Sequence, residues 1–175
     1  MISLARIDLT EIVVAHLRTL RRLGKPGINT GDIVFFFVLP ALVAIPLAYF
    51  FGDRLYDQAS KLLTAISLIG GFLFNLLART AQIVDKARKD STAGSVRRVF
   101  AKEIHANISF GIILSLSCSL SLVAYSFLDK PVARQLQGEL GMAWLNYFLA
   151  VSFFLTLLMI VKRMFIILSS DVEDL

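Results

Sequence analysis

The sequence predicts an all-α integral membrane protein: four transmembrane helices arranged as two antiparallel hairpins, preceded by an amphipathic interfacial helix. The chain has 175 residues, of which 57% are hydrophobic and only 18% charged, and its mean hydropathy is +0.73. Soluble domains have an apolar share nearer half. The apolar residues also gather into stretches of about the ~20 residues that cross a ~30 Å hydrocarbon core. Strongly basic segments alternate with weakly basic ones between these stretches, as in a multi-pass topology.

The first element is an arm over residues 1–31 that contains a short amphipathic helix. Its apolar positions fall on one helical face: Leu9, Ile12, Val13, Leu17 and Leu20. Arg18, Arg21 and Arg22 lie on the other side, so we expect the helix to rest in the headgroup region with its arginines toward anionic lipid. The groove of a cytosolic partner is the alternative for the same face. His16 lies at the apolar edge and is interpreted as incidental rather than as a pH switch.

A transmembrane domain over residues 32–168 follows, and an acidic cytoplasmic tail occupies residues 169–175. The four predicted spans are residues 33–51, 62–84, 104–128 and 140–161. The connection at residues 52–60 is short, which makes the first two spans an antiparallel hairpin. Pro40 and Pro46 remove backbone donors within the first span and predict kinks, either as shape elements or as hinges.

Small and polar residues repeat along one face of the second and third spans. On the second span they are Thr64, Ser67, Gly71, Asn75 and Ala78, and on the third they are Asn107, Gly111 and Ser115. Helices associate in lipid through close backbone approach at small residues and through interhelical hydrogen bonds. These stripes therefore predict packing seams. Docking within the chain is the favoured interpretation, and a homo-oligomer interface or a pore lining is the alternative.

The distribution of basic residues predicts the orientation. The arm, the central loop and the end of the fourth span hold fourteen of the 18 Lys and Arg residues, and the other two loops hold four. Both termini are therefore expected in the cytoplasm. The central cations Arg88, Lys89, Arg97 and Arg98, together with those of the arm, predict a docking site for an acidic cytosolic partner. Contact with anionic lipid alone is the competing interpretation.

The sequence predicts no enzyme. A catalytic site needs a nucleophile, an acid–base group and a residue that orients them, and these cannot be assembled from the two histidines and the acidic residues outside the spans. No metal-ligand spacing or phosphate-binding loop indicates a cofactor. Cys118, in the middle of the third span, is interpreted as a packing residue. The cations lack the interleaved aromatics of a nucleic-acid surface, so no direct nucleic-acid binding is expected.

Several segments together resemble a known group of membrane proteins. These are the arginine-rich arm, the two hairpins, the run Asn107-Ile108-Ser109-Phe110-Gly111 and the run Lys162-Arg163-Met164-Phe165. The chain resembles the small four-pass membrane proteins of bacterial anti-phage operons, such as the membrane subunits of Kiwa-type systems. The resemblance implies a protein of the bacterial inner membrane that assembles into an oligomer and acts with a cytosolic partner from the same operon. We expect this assembly to work as a membrane sensor or a membrane-disrupting effector. A non-catalytic anchor or assembly subunit and a small holin-like pore are the alternatives.

Overall fold

The chain is helical throughout the part that the structure describes. This computed structural model describes residues 9–20, 31, 34–89, 95–127 and 137–173, and side chains at 9–20, 31, 34–82, 102–127 and 140–165. The helices are α1 (Thr10–Thr19), α2 (Leu39–Lys89), α3 (Ser95–Ser126) and α4 (Gln137–Glu173), with a π-helical turn at Val34–Val38 before α2. Three apolar segments are long enough to cross a membrane: Val34–Gln82, Lys102–Ser126 and Leu140–Phe165. For the described residues, the all-α class and the presence of helices long and apolar enough to cross a membrane are thus confirmed.

The predicted loop at residues 52–60 is instead helical and lies inside α2, so this part of the prediction is wrong. The prediction rested on the charges of the segment, but the segment contains no proline, and only Gly52 has a low helix propensity. Leu55 and Ala59 are both buried at a spacing of four, which gives the segment a helical face to pack. Asp57 also precedes Lys61 by four residues, which is the favourable order for a charged pair on a helix.

Although α2 is helical over its whole length, it is not straight. Phe36, just before α2, lies with its ring 6.4 Å from the ring of His16, which stacks at 3.9 Å on Phe110 of α3. Leu73 of α2 lies beside Gly111, the residue that follows Phe110. In a straight helix, residues 36 and 73 would be about 55 Å apart. Phe36 and Leu73 instead both lie close to the same part of α3, at Phe110 and Gly111, so α2 cannot be straight. The chain therefore reverses its direction between them.

The middle of α2 lies at the opposite end of α3 and α4. Gly52 lies beside Ala143, and its carbonyl accepts a hydrogen bond of 3.2 Å from the Tyr125 hydroxyl. The preceding carbonyl, that of Phe51, accepts a 3.0 Å hydrogen bond from the Tyr147 hydroxyl. Side-chain donors on two consecutive carbonyls satisfy backbone groups where a helix bends. The reversal of α2 is thus near Gly52, and its two arms run in opposite directions along the bundle.

The second arm of α2 packs with α3 and α4 around one apolar core. Along each helix, pairs of buried residues lie four or seven positions apart, which is the spacing of one helical face. They include Leu55, Ala59, Ile66 and Leu73 of α2, Ile104, Ile108, Cys118 and Leu122 of α3, and Ala143, Phe153 and Ile160 of α4. Each helix also has a second face, away from the core, on which large apolar side chains remain exposed. Next to this core, Glu103 of α3 and Arg163 of α4 meet the end of α1.

The two prolines of this region, Pro40 and Pro46, lie at different positions in α2. Pro40 is buried in the first turn of α2, where a missing N–H is tolerated. Because proline has no N–H, Pro40 cannot donate a hydrogen bond to the carbonyl of Phe36. The wider π-helical turn at Val34–Val38 directly precedes it, as expected where the regular hydrogen-bond ladder is interrupted. Pro46 lies inside α2, in the arm that precedes the reversal.

Candidate functional site: a buried polar network beneath the amino-terminal helix

Helix α1 packs against the bundle with the face that was predicted to contact lipid. Ile12 and Val13 are partly buried against the apolar core, and Leu20 is buried just after the helix ends. Arg18 remains exposed on the outer side. The amphipathic pattern was therefore identified correctly, but its apolar face contacts the chain's own helices rather than a headgroup layer. A membrane surface is one apolar partner for such a face, and a neighbouring helix is another.

His16 is the centre of a hydrogen-bonded group between α1 and α3. Its side chain is 1% exposed, and its Nδ1 lies 2.9 Å from Oδ1 of Asn107, which is fully buried. The Thr19 hydroxyl lies 2.8 Å from the same Asn107 oxygen and 2.7 Å from the His16 carbonyl oxygen. Because Oδ1 of Asn107 only accepts, His16 donates from Nδ1 and its Nε2 is the acceptor nitrogen of a neutral ring.

An ion pair extends this group to α4. The Arg163 guanidinium donates through Nη1 to Oε2 of Glu103 at 2.6 Å and through Nη2 to the Thr19 carbonyl at 2.7 Å. The two charged side chains are only 14% and 23% exposed. Carbonyls at a helix C-terminus lack intrahelical partners and carry partial negative charge, so a guanidinium there stabilises the end of α1. One arginine thereby holds three helices together.

The environment of His16 favours its neutral form. Burial lowers the pKa of His16 from 6.5 to about 4; the hydrogen bond with Asn107 acts in the opposite direction, and the positive charge of Arg163 lowers the pKa further. The ring stacks on Phe110 at an interplanar angle of 11°. Nε2 of His16 and Nδ2 of Asn107 are both buried and have no hydrogen-bond partner among the described residues. Burying a polar atom without a hydrogen bond costs free energy, so the packing around α1 must offset that cost.

The predicted seam on α3 lies inside the bundle. Asn107, Gly111 and Ser115 are all buried. A Cβ on Gly111 would lie 3.2 Å from the Leu73 side chain, so a larger residue would not fit without a shift. Ser115 donates to its own helix and packs against Gly70, where a Cβ would come within 2.7 Å of the serine oxygen. Gly70 was not predicted as a seam residue, although it adjoins Gly71.

The predicted seam on α2 faces outward, so the favoured interpretation that it docks α2 on its own neighbours is wrong. Ser67, Gly71 and Asn75 are exposed, and a Cβ on Gly71 would meet nothing within 4 Å. The packed face of α2 instead carries Ile66 and Leu73, about 100° or more around the helix. The small size of the stripe residues did not identify the packed face of α2, because larger buried apolar residues and Gly70 make the contact with the neighbouring helices. The alternatives, a subunit interface or a pore lining, remain compatible with an exposed stripe.

The predicted partner-docking residues are only partly described. Arg18 is exposed on α1, and Arg21 and Arg22 lie outside the described residues. Arg88 and Lys89 fall at the end of α2, and Arg97 and Arg98 near the start of α3, but their side chains lie outside the described part. No docking geometry is therefore assigned to these cations.

Within the described ranges there is no group of three or more His, Cys, Asp or Glu side chains that could hold a metal ion. Cys118 is a buried free cysteine. The residues that sequence reasoning missed are His16, Thr19, Glu103 and Arg163. The available signal was weak: His16 lies three residues after Val13 and four before Leu20, which is the spacing of the packed face.

The fold and this network define the class of the protein as an all-helical chain with helices long and apolar enough for a multi-pass membrane protein. Comparisons with protein families, curated proteins and solved structures found no match for the chain. Its function is accordingly argued from its own residues.

Proposed function

We propose that the chain is a non-catalytic membrane subunit that crosses a bacterial inner membrane four times and associates with further copies of itself. In this proposal both termini are cytoplasmic, and a cytosolic partner docks on the basic central segment. The resemblance to membrane subunits of anti-phage operons supplies the biological setting, in which the assembly senses or disrupts the membrane. The observation that carries the proposal is the exposed polar face of α2.

The exposed face of α2 supports self-association because its polar groups lie within an apolar span. Thr64, Ser67 and Asn75 are exposed within the segment Val34–Gln82. An Asn amide that faces hydrocarbon has no hydrogen-bond partner, and the same face on a second copy offers one. Gly71 lies between them and lets two backbones approach closely, since no described side chain or neighbouring helix lies within 4 Å of its Cβ position.

The reversal of α2 supports four crossings. The segment Val34–Gln82 has 49 residues, which is about 74 Å of straight helix and more than twice the ~30 Å hydrocarbon thickness. The contacts of Phe36 and Leu73 lie at one end of the bundle, and those of Gly52 lie at the other. Each arm therefore has the length of one crossing. In the proposal, the two arms form the first hairpin, and α3 and α4 form the second.

Reporter fusions test the topology. Fusions after Gly52 and Leu128 should report the periplasm, and fusions after Lys89 and Leu175 should report the cytoplasm. If the fusion after Gly52 reports the cytoplasm while that after Leu128 reports the periplasm, α2 does not complete a hairpin and four crossings are refuted.

Cysteine crosslinking in membranes tests self-association. In a Cys118→Ser background, Ser67→Cys and Asn75→Cys should form disulfide-linked dimers on mild oxidation. Phe72→Cys is the matched control, because Phe72 is 65% exposed on the same helix but points away from the polar stripe. Equal crosslinking at all three positions would indicate random collision, and no crosslinking at Ser67 and Asn75 would refute the interface.

A pore is the second candidate, and the packed core restricts where it could lie. Ile108, Cys118 and Leu122 are at most 2% exposed, so they leave no water-filled path through this part of one bundle. A conducting path would therefore lie between copies, beside the polar face of α2. Ion flux in liposomes that Asn75→Leu abolishes would favour the pore over the anchor.

Plaque counts on cells that express the chain with and without its neighbouring genes test the defence setting.

A further inference from the structure

We infer that the cleft between α1, α2 and α3 binds the headgroup of a zwitterionic aminophospholipid, such as phosphatidylethanolamine. The cleft has a volume of about 540 Å³ and is open on one side. Its polar lining residues are Glu11, Lys102, His105 and Ser109, and Ile12 and Ala15 belong to its apolar wall. It lies beside the buried His16 network but shares no lining residue with it.

The position of the cleft along α3 matches the depth of a lipid headgroup. Lys102 and Glu103 directly precede residues 104–128, a stretch without Asp, Glu, Lys or Arg, so Lys102 lies at the boundary between hydrocarbon and the polar layer. His105 and Ser109 follow at steps of three and four, which places all three side chains on one face of α3. A free soluble phosphate ester would meet the same polar groups, but it would leave the apolar wall of Ile12 and Ala15 unused.

The charges that line the cleft select the headgroup. Lys102 and His105 lie on the α3 side, and Glu11 lies on the α1 side. None of the three forms an ion pair within the described part of the chain, although opposite charges line one cleft. A phosphate can accept hydrogen bonds from Lys102 and His105, and a primary ammonium can donate to the Glu11 carboxylate. An anionic headgroup without an amine would face Glu11 unpaired, and a choline headgroup has no N–H to donate.

Lipid retention by the purified full-length chain tests the inference. Native mass spectrometry after titration with phosphatidylethanolamine, phosphatidylcholine or phosphatidylglycerol of the same acyl chains would compare the three headgroups. We expect phosphatidylethanolamine to bind at least ten-fold more tightly than phosphatidylcholine. We expect Glu11→Gln to abolish this preference and Lys102→Gln to weaken binding of both lipids. Lys162→Gln is the matched control, since Lys162 is an exposed cation that does not line the cleft.

The possible outcomes separate the alternatives. Tighter binding of phosphatidylglycerol, or equal binding of all three lipids, would overturn the inference. An unchanged preference in Glu11→Gln would overturn it as well, because the carboxylate would then not contact the amine. Ala106→Leu, which narrows the cleft, should lower binding of phosphatidylethanolamine, and circular dichroism would confirm that each variant remains helical. These measurements need no second copy and no partner, so they succeed or fail independently of the proposed function.

Discussion

Acidification should release α1 from the bundle, because the docked helix holds His16 in its neutral form. The pKa of His16 is about 4 in the docked state and 6.5 for an exposed imidazole. Because the pKa is lower in the docked state, protonation of His16 favours the undocked state. The free energy of docking therefore has its full value above pH 6.5 and becomes smaller as the pH falls toward 4. Between pH 7 and pH 5, the loss is about 2 kcal/mol, or about 20-fold in the docking equilibrium.

Hydrogen–deuterium exchange of the α1 backbone amides measures this loss. After correction for the chemical exchange rate, the protection of α1 should fall about 20-fold from pH 7 to pH 5, while the core of α3 stays protected. His16→Gln removes the titrating ring and should show little change over this range. His105→Gln is the matched control, because His105 is exposed and should leave the fall intact. An unchanged protection of α1 in the wild type, or an equal fall in His16→Gln, would refute the reasoning.

Three further predictions concern the thermal stability of the chain in detergent. Asn107→Ala should destabilise it by about 2 kcal/mol, since two buried polar groups lose their shared acceptor. Gly111→Leu should cost about 1–3 kcal/mol by overpacking, whereas Gly71→Leu should change the stability of the separate monomer by no more than about 0.5 kcal/mol because its surroundings within one copy are open; equal losses in monomeric protein would show that both glycines face the bundle. Arg163→Gln should cost about 1–3 kcal/mol by leaving the partly buried carboxylate of Glu103 and the carbonyl at the end of α1 without their donor. Lys162→Gln changes an exposed side chain and should show no comparable loss.

Sequence reasoning predicted the apolar helices well because their signal is long and continuous. The predicted spans 104–128 and 140–161 overlap the observed segments Lys102–Ser126 and Leu140–Phe165. The boundary at residues 52–60 was wrong because charged residues mark a membrane surface without ending a helix. A single glycine such as Gly52 is tolerated inside a helix, so it did not indicate a helix end either.

The candidate site was harder to predict because it depends on contacts between distant segments. Asn107 was singled out as a seam residue, but its partner His16 is 91 residues away in sequence. The stripe at Gly71 and the stripe at Gly111 look alike in sequence, yet only the second is buried. Small residues mark where a close approach is allowed, and only the arrangement of the other helices decides whether it occurs. No single-sequence pattern contains that information.

The bend of α2 has a consequence for the biosynthesis of the chain. In the proposed topology its tip is the first segment to be carried across the bilayer, and it holds two carboxylates, Asp53 and Asp57, and two cations, Arg54 and Lys61. The membrane potential acts on net charge, at about 2.3 kcal/mol per elementary charge for each 100 mV. A neutral tip is neither driven nor opposed by that field. Since residues 52–60 also keep helical backbone bonds, the first hairpin can enter the membrane as one closed unit before α3 has been synthesised.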